Sequence, residues 1–180
     1  MVRTGETNLG NLAADAFRIA TGADVALTNG GGIRDSIPAG DVTKKQLVTV
    51  FPFGNYVVTL NVTGEQLLAA LENGVSRYPD ADGRFPQVSG ISFKFDPAQA
   101  PGSRVFEVQV GEEALDPECI YLLATNDYIA VGGDEYPFAD VSITNEYSSM
   151  EEILIDYIAS FDEPIAPEVE GRIVMEAKAE

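Results

Sequence analysis

A chain of 180 residues with mean hydropathy near zero and 22% charged side chains has the size of one globular domain, which buries a core without a disulfide or metal staple. Its single cysteine, Cys119, and its lack of any histidine exclude an internal disulfide, the usual zinc, copper and non-haem iron ligand sets, and Ser-His-Asp or histidine general-base catalysis. The net charge of −18 is uneven: residues 1–106 hold nine Lys/Arg against ten Asp/Glu, whereas residues 107–180 hold two against nineteen. Chemistry on this chain therefore falls to carboxylates, Arg, Lys, Tyr or hydroxyls, or comes from residues outside it. A surface this acidic repels nucleic-acid polymers and anionic lipid, and it reads first as a solvated face that aids solubility. No apolar run reaches the roughly 18 residues of a membrane span. The opening MVRTGETN has no signal-peptide pattern, which says nothing about export if the chain is cut from a longer protein.

Apolar residues at Leu9, Leu12, Ala13, Ala16, Phe17 and Ala20 follow helical spacing, with Asn8 as the expected cap and Gly22 as the expected stop. A short buried strand is expected over 24–28, ending at Asn29-Gly30-Gly31-Gly32. Thr43 with Gln46 forms a capping-box pattern for a short helix through Val48, before the turn Pro52-Phe53-Gly54-Asn55. A strand over 56–62 follows, and then a helix opened by Thr63 with Gln66, whose Leu67, Leu68, Leu71 and Val75 face the core. Residues 77–89 read as a polar loop. Strands are expected over 90–95, 104–110 and 119–124, then a loop over 125–136. A last helix opens at Ser149 with Glu152 as capping partner, carries the stripe Met150, Ile153, Leu154, Tyr157, Ile158 and Phe161, and stops at Pro164. A final strand covers 172–175. Without repeats or linkers, the expectation is one domain over 1–180 of the α+β (layered α/β) class, a mixed β-sheet packed with helices.

Four segments combine glycine with polar or aromatic residues beyond what core packing requires. They are Arg3-Thr4-Gly5-Glu6-Thr7-Asn8-Leu9-Gly10-Asn11, Asn29-Gly30-Gly31-Gly32-Ile33-Arg34, Phe51-Pro52-Phe53-Gly54-Asn55, and the run from Asn126 to Tyr136 that contains Tyr128 and Asp134. The three glycines allow positive φ and close backbone approach. They form neither a dinucleotide fingerprint nor a P-loop, so a tight structural turn explains them as well. Aromatics from two loops are able to sandwich a flat ring, although Phe53 or Tyr128 taken singly fits a core aromatic better. Asp134 suits a pair of vicinal hydroxyls, as acidic residues do at a ribose, or a simple Asx turn.

In order along the chain, R-x-x-E-T-N-L-G-N-L-A-A-D-A, N-G-G-G-I-R-D-S-I-P-A-G-D, F-P-F-G-N, G-R-F-P-Q-V-S-G, A-T-N-D-Y-I-A-V-G-G-D-E-Y and E-G-R-I resemble the C-terminal domain of the 5′-nucleotidase family from Arg3 to Ile173. The resemblance implies a nucleoside or nucleotide pocket. In it Arg3 lies near ribose or phosphate, Asn29 near the base and Arg34 near sugar or phosphate. Phe53 and Tyr128 form an aromatic clamp, Asn55 contacts the base in some members, and Asp134 holds the ribose hydroxyls. Tyr128 stands where phenylalanine is common, which bears on base preference.

The resemblance further implies that catalysis belongs to an N-terminal metallophosphoesterase domain absent from this chain. Two divalent metals held there by Asp, His and Asn activate water against the phosphate. On that expectation this chain carries no catalytic residue, no metal and no cofactor, is inactive alone, and partners with that domain in an exported or surface-attached parent. Members using the same frame act on 2′,3′-cyclic nucleotides, 3′-nucleotides or UDP-sugars, and a binding-only surface module is a third possibility.

Overall fold

The computed structural model describes residues 1–178. Helix α1, Asn8–Thr21, is capped by Thr7 and not by Asn8. Thr7 is extended and its Oγ1 accepts the Gly10 N–H at 3.1 Å, whereas Asn8 is already the first helical residue. Gly22 closes the helix at φ +67°, as expected. Strand β1, Val25–Asn29, is buried along its whole length, and Gly30–Gly32 then form one 3₁₀ turn. Both expected capping boxes are present: Thr43 with Gln46 opens α2, Lys44–Val50, and Thr63 with Gln66 opens α3, Gly64–Val75. Between these helices lies β2, Tyr56–Thr63.

The expected loop over 77–89 contains a strand, β3, Pro86–Ser89. Strands β4, Ile91–Phe95, and β5, Val105–Val110, follow, then a two-residue β6, Glu113–Ala114, and β7, Ile120–Asn126. The expected loop over 125–136 holds the end of β7 and a single helical turn, α4, Asp127–Ala130. Strand β8, Ile143–Ser149, leads into α5, Met150–Ala159, and β9, Ile173–Met175, ends the fold. Neither β3 nor β8 shows apolar alternation, and both lie at the edges of the larger sheet. Most of β8 faces solvent, so its sequence Ile-Thr-Asn-Glu-Tyr-Ser-Ser carries no burial period.

Five strands form one mixed sheet in the order β3-β1-β7-β2-β8, and four form a second in the order β6-β5-β4-β9. In the first, β1 and β7 run parallel while the other neighbours run antiparallel. Alternate residues of this sheet feed two cores. Ala26, Val57 and Ala124 pack with α1, α2 and α5, while Val25, Leu27, Val58, Leu60, Val62 and Leu123 pack with α3 and the second sheet. Ala13, Ala14 and Ala16 of α1 share the first core with Ala26 and Ala124, small side chains that allow the helix close against the sheet. The outcome is a layered α+β domain with mixed sheets and helices on both faces, as the sequence suggested.

Candidate functional site

Strand direction brings the candidate segments to one end of the five-stranded sheet. Because β1 and β7 are parallel, Asn29 and Asn126 end neighbouring strands side by side. Antiparallel pairing sets Pro86, at the start of β3, opposite Asn29, and Val57, near the start of β2, opposite Asn126. Tyr56 in turn faces Ser149 at the end of β8. A cleft of about 430 Å³ opens at this end, lined by Arg3, Asn29, Gly31, Gly32, Arg34, Phe53, Asn55, Gly83, Asn126, Tyr128, Asp134 and Met150. All seven residues singled out from the sequence are among them. The position, outside the carboxyl ends of parallel strands, is where open α/β sheets commonly bind ligands.

The two aromatics are not core residues, since Phe53 is 62% exposed and Tyr128 is 44% exposed. In the same turn Phe51 is buried and packs on Phe17 at 5.9 Å between ring centroids, so the motif F-P-F-G-N sends one ring to the core and the other to the cleft. The Arg34 guanidinium lies 5.7 Å from the Phe53 ring centroid, and its Nη1 donates to Gly31 O at 3.3 Å. Among the described residues neither Arg3 nor Arg34 enters an ion pair. Two cationic groups therefore stay available at the cleft.

Its carboxylate is held by neighbours. Asn29 Nδ2 donates to Asp134 Oδ2 at 2.7 Å, and the Tyr128 hydroxyl donates to Asp134 Oδ1 at 2.8 Å. Asn126 Nδ2 donates to Asn29 Oδ1 and to Thr28 Oγ1, both at 3.2 Å, while Asn126 Oδ1 caps α4 by accepting the Ile129 N–H. Asn29 is thus buried with both ends of its amide engaged, and its placement supports Asp134. Asn55 Nδ2 donates to Asp127 Oδ1 at 2.7 Å, which aims the Asn55 carbonyl elsewhere. Sequence reasoning placed Asn126 and Gly83 inside motif segments without giving either a role, and it missed Met150, which reads as part of the apolar stripe of α5.

The glycine run works by close approach, and none of Gly30, Gly31 and Gly32 takes the positive φ that the sequence allowed. A Cβ on Gly30 would collide with Val2 O and lie 3.1 Å from Phe85 O, and one on Gly31 would lie 2.9 Å from Gly83 Cα. Positive φ is found instead in the acidic loop, at Gly132 (+89°), Asp134 (+52°) and Glu135 (+62°). Three outside contacts brace that loop. Asn73 Nδ2 donates to Asp134 O at 3.0 Å, Arg84 pairs with Glu135 and Asp82 at 3.0 Å each, and the buried Tyr136 hydroxyl donates to Arg84 O at 2.7 Å.

The first segment divides into a cleft residue and its support. Thr7 caps α1, Glu6 accepts from Asn11 and from the Glu170 and Ile173 backbone N–H groups, and Gly10 leaves room for Gln87. The fully buried Gln87 accepts from Thr7 at 3.0 Å and donates to Gly5 O at 2.8 Å and Val2 O at 3.3 Å, which pins the segment carrying Arg3 to β3. The arginine of E-G-R-I is also structural: Arg172 makes a two-pronged pair with Asp15 at 2.7 and 2.9 Å.

A larger groove of about 690 Å³ lies between α1, residues 36–42 and residues 158–167. It is mostly apolar and gathers no converging cations or aromatics, so volume does not select it over the strand-end cleft. Among the described residues no group of three or more His, Cys, Asp or Glu is arranged to hold a metal, so the donor set does not fit a metal centre. Among the described residues no helix is long and apolar enough to cross a membrane.

The domain thus presents two exposed aromatic rings, two arginines and a carboxylate at one end of its five-stranded sheet. The family model for the 5′-nucleotidase, C-terminal domain, matches residues 1–141, and the chain belongs to that family. The trifunctional nucleotide phosphoesterase protein YfkN of Bacillus subtilis is 40% identical over 183 residues, 96% of this chain and 12% of that protein. Protein UshA of Escherichia coli is 40% identical over 139 residues, 77% of this chain and 24% of that protein. The crystal structure of the 5′-nucleotidase precursor from Thermus thermophilus superposes with a TM-score of 0.91 at 38% identity, covering 99% of this chain and 37% of that one. The chain thus spans an eighth to a quarter of these two curated relatives.

Proposed function

We propose that this domain is the nucleoside- and nucleotide-recognition part of a 5′-nucleotidase-type phosphohydrolase, which converts a nucleoside 5′-phosphate to nucleoside and phosphate. The observation that carries the reading is the convergence of Arg3, Asn29, Arg34, Phe53, Asn55, Tyr128 and Asp134, from four separate segments, on one cleft. In this reading the base stacks between Phe53 and Tyr128, a contact worth about 1–3 kcal/mol per base in other proteins. Asp134 accepts from the ribose hydroxyls, and Arg3 and Arg34 face the phosphate side. Asn55 lends its side-chain carbonyl to the base edge. The names of the relatives, a nucleotide phosphoesterase and 5′-nucleotidases, support the substrate class.

The bond-breaking step is assigned to an N-terminal metallophosphoesterase domain with two divalent metals, because the donor set of this chain does not fit them. On the family resemblance, the parent is read as an exported or surface-attached enzyme. Titration calorimetry with adenosine tests the cleft. The wild-type chain is expected to bind, and Phe53→Ala and Asp134→Ala are each expected to weaken binding about tenfold or more. Unchanged binding in both variants would contradict the reading. The alternative is a parent of different specificity, acting on 2′,3′-cyclic nucleotides, 3′-nucleotides or UDP-sugars; the Bacillus relative, by its name a trifunctional nucleotide phosphoesterase, is reason to run a substrate panel on the full-length protein, which separates the two. Hydrolysis of AMP by this chain alone with added Mn²⁺ would contradict the division of labour. A full-length protein inactive on the whole panel would leave a binding-only module.

A further inference from the structure

We propose that the Tyr128 hydroxyl is a positioning group for Asp134, presetting its carboxylate for a vicinal diol and so setting the preference for ribose over deoxygenated sugars. The inference rests on the reading of the cleft given above. A ring that only stacks on a base needs no hydroxyl. Here the hydroxyl is engaged twice by one residue, donating to Asp134 Oδ1 at 2.8 Å and accepting the Asp134 backbone N–H at 3.1 Å.

Asn29 Nδ2 takes the other oxygen, Oδ2, at 2.7 Å. With a donor on each oxygen, the carboxylate turns about its Cβ–Cγ bond only by breaking a charge-assisted hydrogen bond. An ionised carboxylate accepts about four hydrogen bonds, so one acceptor position remains on each oxygen. Two is the number that the two hydroxyls of a diol require.

Backbone geometry makes the same demand on Tyr128. Asp134 sits at φ +52°, a left-handed conformation that non-glycine residues seldom adopt, and the bond from its N–H to the phenol oxygen is one of the contacts that hold it there. The ring reaches that position because residue 133 is glycine: a Cβ there would lie 2.6 Å from Tyr128 Cε1. Gly133, Tyr128 and Asp134 thus form one clasp, in which preorganisation lowers the ordering cost of binding a diol.

The test is calorimetric titration of the chain and of Tyr128→Phe with adenosine and with 2′,3′-dideoxyadenosine. The wild-type chain is expected to prefer adenosine. In Tyr128→Phe that preference is expected to fall about five- to tenfold, the equivalent of roughly one hydrogen bond. A loss of affinity shared equally by both nucleosides leaves the preference unchanged, marks a structural role, and overturns the proposal. Equal binding of the two nucleosides by the wild type would also overturn it, together with the role of Asp134 toward the ribose hydroxyls, while leaving the Phe53 and Tyr128 clamp of the cleft reading in place. Binding of neither would remove the cleft reading, and the inference with it.

Discussion

The Tyr128 phenol is perturbed by the Asp134 carboxylate beside it. The phenol lies above its usual value near 10 chiefly because its hydroxyl donates to the Asp134 carboxylate, with partial burial acting in the same direction. Asp134→Asn removes the charge and is expected to bring the Tyr128 phenol down, as followed by alkaline absorbance titration with Tyr128→Phe as the blank. A titration that does not move would show that the two groups are uncoupled. Since the folded chain holds this proton more tightly than the unfolded chain, the stabilisation is complete below about pH 10 and is lost as pH rises through the folded value. Tyr136, wholly buried, is pushed further up by desolvation and does not confuse the measurement.

At the scale of elements, strand ends and glycines build the cleft. Gly30→Ala drives a methyl into the carbonyls of Val2 and Phe85, backbone atoms that cannot swing aside, and is expected to cost about 1–3 kcal/mol in chemical denaturation. Gly5→Ala, in the same neighbourhood but with nothing within 4 Å of its Cβ, is expected to stay within about 0.5 kcal/mol. Equal costs would contradict the close-approach reading.

The helices were legible in the sequence because caps and apolar periods agreed. Thr43 and Thr63 formed their boxes as expected, and the stripe of α5 buries Met150, Ile153 and Leu154. Phe161, at the end of that stripe, is 43% exposed because the helix stops at Ala159. Strands β3 and β8 were not legible, because edge strands carry mixed sequences whose burial depends on what covers them. Pro86–Ser89 is fully buried, with Gln87 bonded to the N-terminal segment and β3 packed beside α1, a long-range arrangement that no local window contains. The seven candidate side chains were legible, but their supports were not. Asn126, Gly83 and the Arg84 brace acquire their roles only when distant strands meet.

Across the whole molecule, Glu6 ties the N-terminal segment to the end of the chain. Burial alone would raise its carboxyl, but hydrogen bonds from Asn11 and from the backbone N–H groups of Glu170 and Ile173 outweigh that and bring it below the usual 4.5. The stabilisation it supplies is therefore present above about pH 4.5 and lost as pH falls through the lower, folded value. Glu6→Gln is expected to flatten the acid limb of a plot of stability against pH, and an unaltered limb would contradict the role. Gln87, bonded to Val2 O and Gly5 O, keeps Arg3 against the cleft, where it joins Arg34 from the nearly neutral first part of the chain, while Tyr128 and Asp134 come from the acidic second part.

A crystal structure of the chain with adenosine bound decides whether the strand-end cleft is the nucleoside site. The expected result is a base between the Phe53 and Tyr128 rings with both ribose hydroxyls on Asp134. Adenosine seated in the apolar groove between α1 and residues 36–42, with the cleft empty, would contradict it.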